Sequence, residues 1–498
     1  MKKIISLVVS AAMLLMLVGG ITSCGNSSKT AALTWVQVGD IQEGDERILE
    51  EANKIIEPEL GLKLKIEYID TASFGEKAKY KMASGEDFDI IWTGCLNDYQ
   101  SAVSMGGLMD ITSYIDNIKM SDGTTAKMSD AVENYFLESA FVDGKIYGVP
   151  NMQVVSNPYT YKLRKSLADE CGIDVKGLQT AALNVKDSDT ANAYMKKLST
   201  EMEKAHSKRP DLFTVNPGTN PAFKNVYEEI LCGVGIKKDG SSTDIVNIKD
   251  TEEFKCGVDA TYDWFEKGYI RKDIASKGNA IESVDDEKQY AFTQTTWKPG
   301  QDISDAAEMG EEIAYSFMES PYISRTSPLL TMLSVGKDSK HPEEAVKLIY
   351  MLNSNKELYN LLCWGIEGEN YTVNSDGSVK EIKDSGYSNG ANGWRYGNQF
   401  NSFVFDGQSA EVWKETKEMN DTAVKSPAMG FVPNTDAITT EIANITNVNT
   451  EYKAKIEFGT SPRSEYWDEY MKKLKEAGID KVCEEIQRQY DEFLANKN

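Results

Sequence analysis

The chain has 498 residues, 41% of them apolar and 10% aromatic, with 78 acidic against 54 basic side chains for a formal charge of -24. That balance argues against a nucleic-acid binder, which needs clustered basic surface, and the apolar share is too high for a disordered chain. Only two histidines, His206 and His341, and seven dispersed cysteines with no C-x-x-C pair leave little basis for His-based catalysis or a structural zinc site.

The first element is an apolar run from Leu7 to Ile21 behind Lys2 and Lys3. It is short for a spanning helix, which needs about 20 apolar residues, and its charged start and small residues fit an export signal. Ile21-Thr22-Ser23-Cys24 resembles the bacterial lipobox. The resemblance implies a signal peptide over 1–23 and a lipid on Cys24. Residues 24–32 then form a small, polar tether. The other six cysteines, Cys95, Cys171, Cys232, Cys256, Cys363 and Cys483, are expected to be buried free thiols.

Alternating strand and helix signals follow. LTWVQVG (33–39) reads as a strand, and DERILEEANKIIEP as a helix with Asp45 at its cap and Pro58 at its end. LKLKIEYI (62–69) alternates as a strand does. A helix ending near Gly85, a strand FDIIWTG (88–94) and a helix over NDYQSAVSMGG come next. This order predicts a parallel α/β sheet, with ligand at the carboxyl ends of its strands: Gly39–Gly44, Asp70–Phe74 and Thr93–Tyr99. Further on, FVDGKIYGVPNMQ (141–153) reads as a turn and an extended segment. The amphipathic pattern at 251–270 predicts a helix with Trp264 and Phe265 in the core. Residues 329–355 read as strand, turn and helix, with Pro342 in the first turn. The end reads as two helices parted at Gly478.

Phosphate-binding glycine loops, G-x-S-x-G, H-E-x-x-H and EF-hand patterns are all absent. No catalytic residue, metal or cofactor is therefore expected. What stands out is aromatic residues beside glycine and amides: Trp92 in IIWTGCLN, Trp297 in QTTWKPG, Trp364 to Tyr371 in WGIEGENY, and Trp394 to Phe400 in WRYGNQF. Flat rings flanked by amides and acids suit a sugar, whose C–H face stacks while its hydroxyls are bonded. Trp92, Trp297 and Trp394 are the expected platforms. Asp40, Asn97, Glu367, Asn398 and Gln399 are the expected hydroxyl partners. Trp92, Asp40 and Asn97 follow from their places at strand ends.

Several stretches then resemble one family. The lipobox, MASGEDFDIIWTG, MGGLMDITSYID and DGKIYGVP resemble the solute-binding lipoproteins of ABC sugar importers. CWGIEGENYTV, GWRYGNQF and the region from GFVPNTDAITTEIANITNVNTEY to the end resemble the C-terminal part of the subgroup described as LplA-like. GFVPN departs from that subgroup, which more usually has an acid there. The resemblance bears most of the weight for Trp394, Asn398 and Gln399. It implies a two-lobe α/β fold of type II with a hinge. Lobe 1 would hold 33–148 and 326–372, and lobe 2 would hold 149–325 and 373–498. Crossings are expected near Tyr147–Met152, Ser320–Leu330 and Tyr371–Lys380. It further implies a monomer on the outer face of the cell membrane, held by lipid on Cys24, delivering a carbohydrate to permease subunits. Two other readings remain open: a surface glycosidase with paired carboxylates, and a receptor for a peptide or another small polar solute.

Overall fold

A computed structural model describes residues 32–496. The leader, Cys24 and nearly all of the tether lie outside the described residues.

The chain opens β1 (Ala32–Val38), α1 (Asp45–Leu60), β2 (Lys63–Ile69), α2 (Phe74–Ser84), β3 (Ile90–Gly94). The principal elements after these are β4 (Gly148–Pro150), β5 (Tyr159–Arg164), β6 (Phe213–Val215), α3 (Glu252–Glu266), β7 (Tyr290–Thr296), β8 (Ile313–Phe317) and β9 (Thr331–Val335). Then come α4 (Pro342–Ser354), α5 (Lys356–Trp364), α6 (Val412–Thr422), α7 (Thr439–Glu457), α8 (Arg463–Glu476) and α9 (Ile479–Asn496).

Local chemistry sets the ends of these elements. α1 buries Ile48, Ala52, Ile56 and Leu60, one face of a helix. It does not stop at Pro58. The proline, in the last turn, forfeits one N–H bond, and the helix runs on to Gly61, whose φ of 68° closes it in a left-handed cap. Asp45 lies inside the first turn and accepts from Gln42 N–H at 2.6 Å. Thr251 caps α3 through Phe254 N–H, and Trp264 is buried with its indole N–H on Ser199 Oγ at 2.7 Å.

Two sheets organise the molecule. The first has the order β2-β1-β3-β9-β4, with β1 parallel to β2 and β3, and β9 antiparallel to β3 and β4. It is therefore mixed rather than wholly parallel, because the chain returns to it from elsewhere to lay down β9. The second has the order β6-β7-β5-β8, with β5 antiparallel to both its neighbours. Each sheet has its own apolar core. One gathers Trp35, Ile91, Trp92, Leu333, Leu352 and Trp364; the other gathers Tyr161, Leu198, Phe292, Trp264, Tyr470 and Ile486.

The chain passes between the cores three times. Val155 belongs to the first core and Tyr161 to the second; Met318 belongs to the second and Ile323 to the first. The first passage therefore lies past the expected Tyr147–Met152, which stays in the first sheet and core, and the third differs from expectation more widely. Tyr371, Val379 and Tyr396 are buried in the first core, and Phe403 and Phe405 pack against it. A hairpin, Tyr371–Val373 with Val379–Glu381, turns this segment back onto Trp364, whose ring lies 4.5 Å from that of Phe405. The last crossing thus lies between Phe405 and Ala428 and contains α6, not at 371–380.

All six cysteines among the described residues are free, but only Cys171 and Cys363 are buried; Cys95 is exposed. Among the described residues no helix is long and apolar enough to cross a membrane.

Candidate functional site

Strand direction fixes where a ligand can meet both lobes. β1, β2, β3 and β4 all point the same way, so Gly39, Asp70, Cys95 and Asn151 emerge on one edge of the first sheet, where β9 begins after Leu330. On the second sheet, the ends of β6, β7 and β8 share an edge with the start of β5 at Tyr159. The first crossing leaves β4 and enters β5; the second leaves β8 and enters β9. The two edges therefore meet at the crossings and bound one cleft, in line with the general placement of ligands at strand ends.

On the first-lobe side the rim is apolar, with Ile41 81% exposed, Leu330 47% and Leu96 37%. Gly94 lets the tip of β3 approach Leu330: its φ is 149°, a Cβ there would lie 2.2 Å from the Leu330 carbonyl oxygen, and Cys95 N–H donates to that oxygen at 3.0 Å. Behind the rim stands Trp394, half-buried in a short helical turn, Gly390–Arg395. Its carbonyl accepts from Asn151 Nδ2 and from Thr331 Oγ1, both at 3.1 Å. Thr331 Oγ1 in turn accepts from Trp92 Nε1 at 2.9 Å and Asn151 Nδ2 at 3.0 Å. Asn151 Oδ1 is buried without a partner. Arg395 pins the same turn to β1, donating to the Val38 carbonyl at 2.7 Å while its own carbonyl accepts from Gln37 Nε2 at 3.0 Å.

On the second-lobe side Trp297 follows β7. Its N–H donates to the Pro158 carbonyl at 3.0 Å, and its ring meets Phe317 edge-on at 5.2 Å. Tyr159, paired with Thr296 at the end of β7, lines a cavity of about 410 Å3 together with Tyr161, Gly218, Gln294, Phe254 and Trp264. Gln294 Nε2 donates to Tyr161 OH and to the Thr219 carbonyl, both at 3.1 Å, leaving Oε1 buried and unpartnered. Burial drives the Tyr161 phenol well above its usual range, so it stays a neutral hydroxyl.

The structure divides the expected residues. Trp394, Trp297 and Asp40 lie at the two edges, Asp40 exposed just past β1. Trp92 does not line the cleft. It is 0% exposed, covered by Phe74 at 5.5 Å and Trp394 at 6.0 Å, because its side chain points into the core beneath β9. Asn97 is 1% exposed and shapes the turn after β3, its backbone pairing with Gly94 and its Nδ2 reaching the Trp92 carbonyl. Gln399 is buried with its N–H on the Met152 carbonyl at 2.8 Å. Asn398 is half-buried, donating to the Asn353 carbonyl at 3.3 Å. These two fasten their loop to the first lobe. Glu367 is exposed elsewhere, beside Arg47 and Lys54 on the outer face of α1. Sequence reasoning missed Asn151, Arg395, Tyr159, Tyr161 and Gln294. The one available signal was Pro150, which marks a strand end directly before Asn151.

A larger cavity, about 880 Å3, lies between Tyr135–Gly144 of the first lobe and Phe431, Arg488 and Phe493 of the second, with Lys425 and Ser426 of the third crossing in its wall. Among the described residues no group of three or more His, Cys, Asp or Glu is arranged to hold a metal ion.

Residues 427–495 match a family model described as a domain of unknown function, DUF3502. Over 517 aligned residues, 98% of each chain, the protein is 27% identical to a carbohydrate ABC transporter substrate-binding protein of Streptococcus pneumoniae serotype 4. The crystal structure of an N-glycan transport solute binding protein from Streptococcus pneumoniae superposes with a TM-score of 0.77 at 24% identity, covering 94% of this chain and 100% of that one. The same relative in complex with Man1GlcNAc scores 0.68 at equal identity and coverage. An extracellular solute-binding protein from Bifidobacterium longum subsp. infantis scores 0.59 at 13% identity, covering 93% and 98%. The chain has the two-lobe α/β fold of the solute-binding proteins.

Proposed function

We propose that this protein is a non-catalytic receptor that captures a carbohydrate, an oligosaccharide of several units, and hands it to the permease of an ABC importer. The observation that carries the reading is full-length similarity to a carbohydrate substrate-binding protein, joined to a cleft with a half-buried tryptophan on each lip, Trp394 and Trp297. Trp394 stacks on a pyranose face, and Asp40, exposed just past β1, accepts from sugar hydroxyls. The relative's structure described with no sugar fits better, at a TM-score of 0.77, than its Man1GlcNAc complex, at 0.68, which supports an open form here that closes on ligand.

The proposal extends to residues outside those described. Cys24 is the acylated first residue of the mature chain, and a monomer is held on the outer face of the membrane, as in the LplA-like lipoproteins. Labelling with a fatty-acid probe tests the anchor: Cys24→Ser should abolish it, and unchanged labelling overturns it. A thermal-shift screen against an oligosaccharide panel tests the receptor, since a ligand specific to the folded state raises its melting temperature. A saturable rise with the sugar recovered intact is expected. Cleavage of the sugar would identify a glycosidase instead, and no rise with any sugar would overturn the carbohydrate reading.

A further inference from the structure

The second-lobe lip carries charge that a neutral sugar does not use. Lys298 directly follows Trp297 in the turn after β7, and it is half-buried. On the adjoining strand Tyr159 lies opposite Thr296, and Lys224 Nζ stands 4.4 Å from the centroid of its ring. Lys224 is half-buried too. Among the described residues neither ammonium makes a hydrogen bond or an ion pair. Glu319, which meets the start of β5, is already engaged: Lys238 Nζ lies 2.6 Å from one oxygen and Tyr159 N–H donates to the other at 3.2 Å.

The contrast with the other desolvated lysines of this lobe is informative. Burial holds Lys238, Lys249 and Lys298 below the ordinary lysine value. Glu319 opposes that effect at Lys238, and Glu229 and Glu457 oppose it at Lys249. No carboxylate opposes it at Lys298. In a chain with 78 acids against 54 bases, a partly buried ammonium without an acid is a charge left waiting for one. A partly desolvated cation is costly alone and strong when paired, because the local dielectric is low. The aromatic rings on either side supply the stacking surface, so a sugar laid on Trp297 or Tyr159 would bring a ring substituent to these ammonium groups.

We propose that Lys224 and Lys298 form an anion subsite, and that the ligand is an oligosaccharide bearing an acidic substituent: a carboxylate, sulfate or phosphate on one of its rings. This rests on the carbohydrate reading above. It also accounts for specificity, since a neutral glycan would leave the half-buried Lys298 unpaired.

The test is a glycan array of matched neutral and acid-bearing structures, with sialyl, uronyl, sulfated and phosphorylated members, probed with the whole mature protein. The leading pair is then measured by calorimetry on the wild type, Lys298→Met and Lys224→Met at two salt concentrations. The acidic member should bind at least tenfold tighter than its neutral partner, and the preference should fall to about threefold or less in Lys298→Met while neutral binding stays unchanged. The array members separate carboxylate from ester recognition. Melting of each variant without ligand, unchanged or raised, shows that it folds. Equal binding of neutral and acidic members, or a preference that survives both substitutions, overturns the anion subsite and leaves the carbohydrate reading intact. Binding to no glycan on the array overturns both.

Discussion

The indole of Trp92 stands edge-on beneath that of Trp394, with ring centroids 6.0 Å apart and planes at 71°. One ring is fully buried and the other is half-exposed. Their hydrogen bonds converge as well: Trp92 Nε1 donates to Thr331 Oγ1, and Thr331 Oγ1 donates to the Trp394 carbonyl. Trp92 is thus the buried support, and Trp394 is the ring left accessible above it.

That division predicts opposite behaviour on truncation. Trp394→Ala should melt near the wild type yet lose about 2 kcal/mol of sugar affinity, roughly thirtyfold. Trp92→Ala should lose about 3–5 kcal/mol of folding stability, as large core deletions do. Calorimetry with ligand and thermal melting without it, on both variants, separate the two. Normal sugar binding by a well-folded Trp394→Ala would remove it from the site.

Gly94 offers a second test on the same rim. Its φ of 149° lies where side chains are strained, and a Cβ would stand 2.2 Å from the Leu330 carbonyl oxygen, which is backbone and cannot swing aside. Gly94→Ala should therefore cost at least about 1–3 kcal/mol and separate the tips of β3 and β9. A melting temperature equal to the wild type would show that the tips are not locked together.

The thiols report on the cleft directly. Cys95 is exposed on the rim, although burial raises its value somewhat. Cys363 is buried and pushed up to about 12, so it presents almost no thiolate at neutral pH. A maleimide should label Cys95 first and Cys363 only on unfolding, as read by peptide mass mapping. Saturating sugar should slow labelling of Cys95. Equal rates with and without bound sugar would mean that the ligand and the closing lobe leave this rim open.

Much of this architecture was legible in the chain. Alternation in LKLKIEYI and the 3.6-residue spacing of Ile48, Ala52 and Ile56 mark β2 and α1 correctly, because these are local patterns set by one buried face. The mixed sheet was not legible, since β9 joins β3 across 236 intervening residues whose path no local pattern encodes. The last crossing was misplaced for a related reason. The hairpin at Tyr371–Glu381 looks like a departure from the first lobe, but Trp364 and Phe405 hold it there. At the site, Trp92 and Trp394 sit in similar loop-like contexts, glycine and amides nearby. Which indole is covered depends on Phe74, and that neighbour is found only in three dimensions.

Asn420 governs the last prediction. It is fully buried on α6, in the third crossing, and it grips the first: its Oδ1 accepts from Val155 N–H at 3.0 Å and Ser156 Oγ at 2.9 Å, while its Nδ2 donates to the Gln153 carbonyl at 2.7 Å. Two of the three connections are therefore tied into one unit, so closure pivots about a shared axis rather than three independent strings. Small-angle scattering should show the radius of gyration falling when saturating sugar is added. Asn420→Leu leaves Val155 N–H and the Gln153 carbonyl unpaired in the interior, at about 1–3 kcal/mol each. It should lower the melting temperature and widen the distribution of distances in the ligand-free protein, while the cleft residues, untouched, still bind. Contraction in the wild type with a broadened ligand-free Asn420→Leu supports the tied hinge. A wild type that binds sugar by calorimetry without contracting would instead make the cleft a rigid groove.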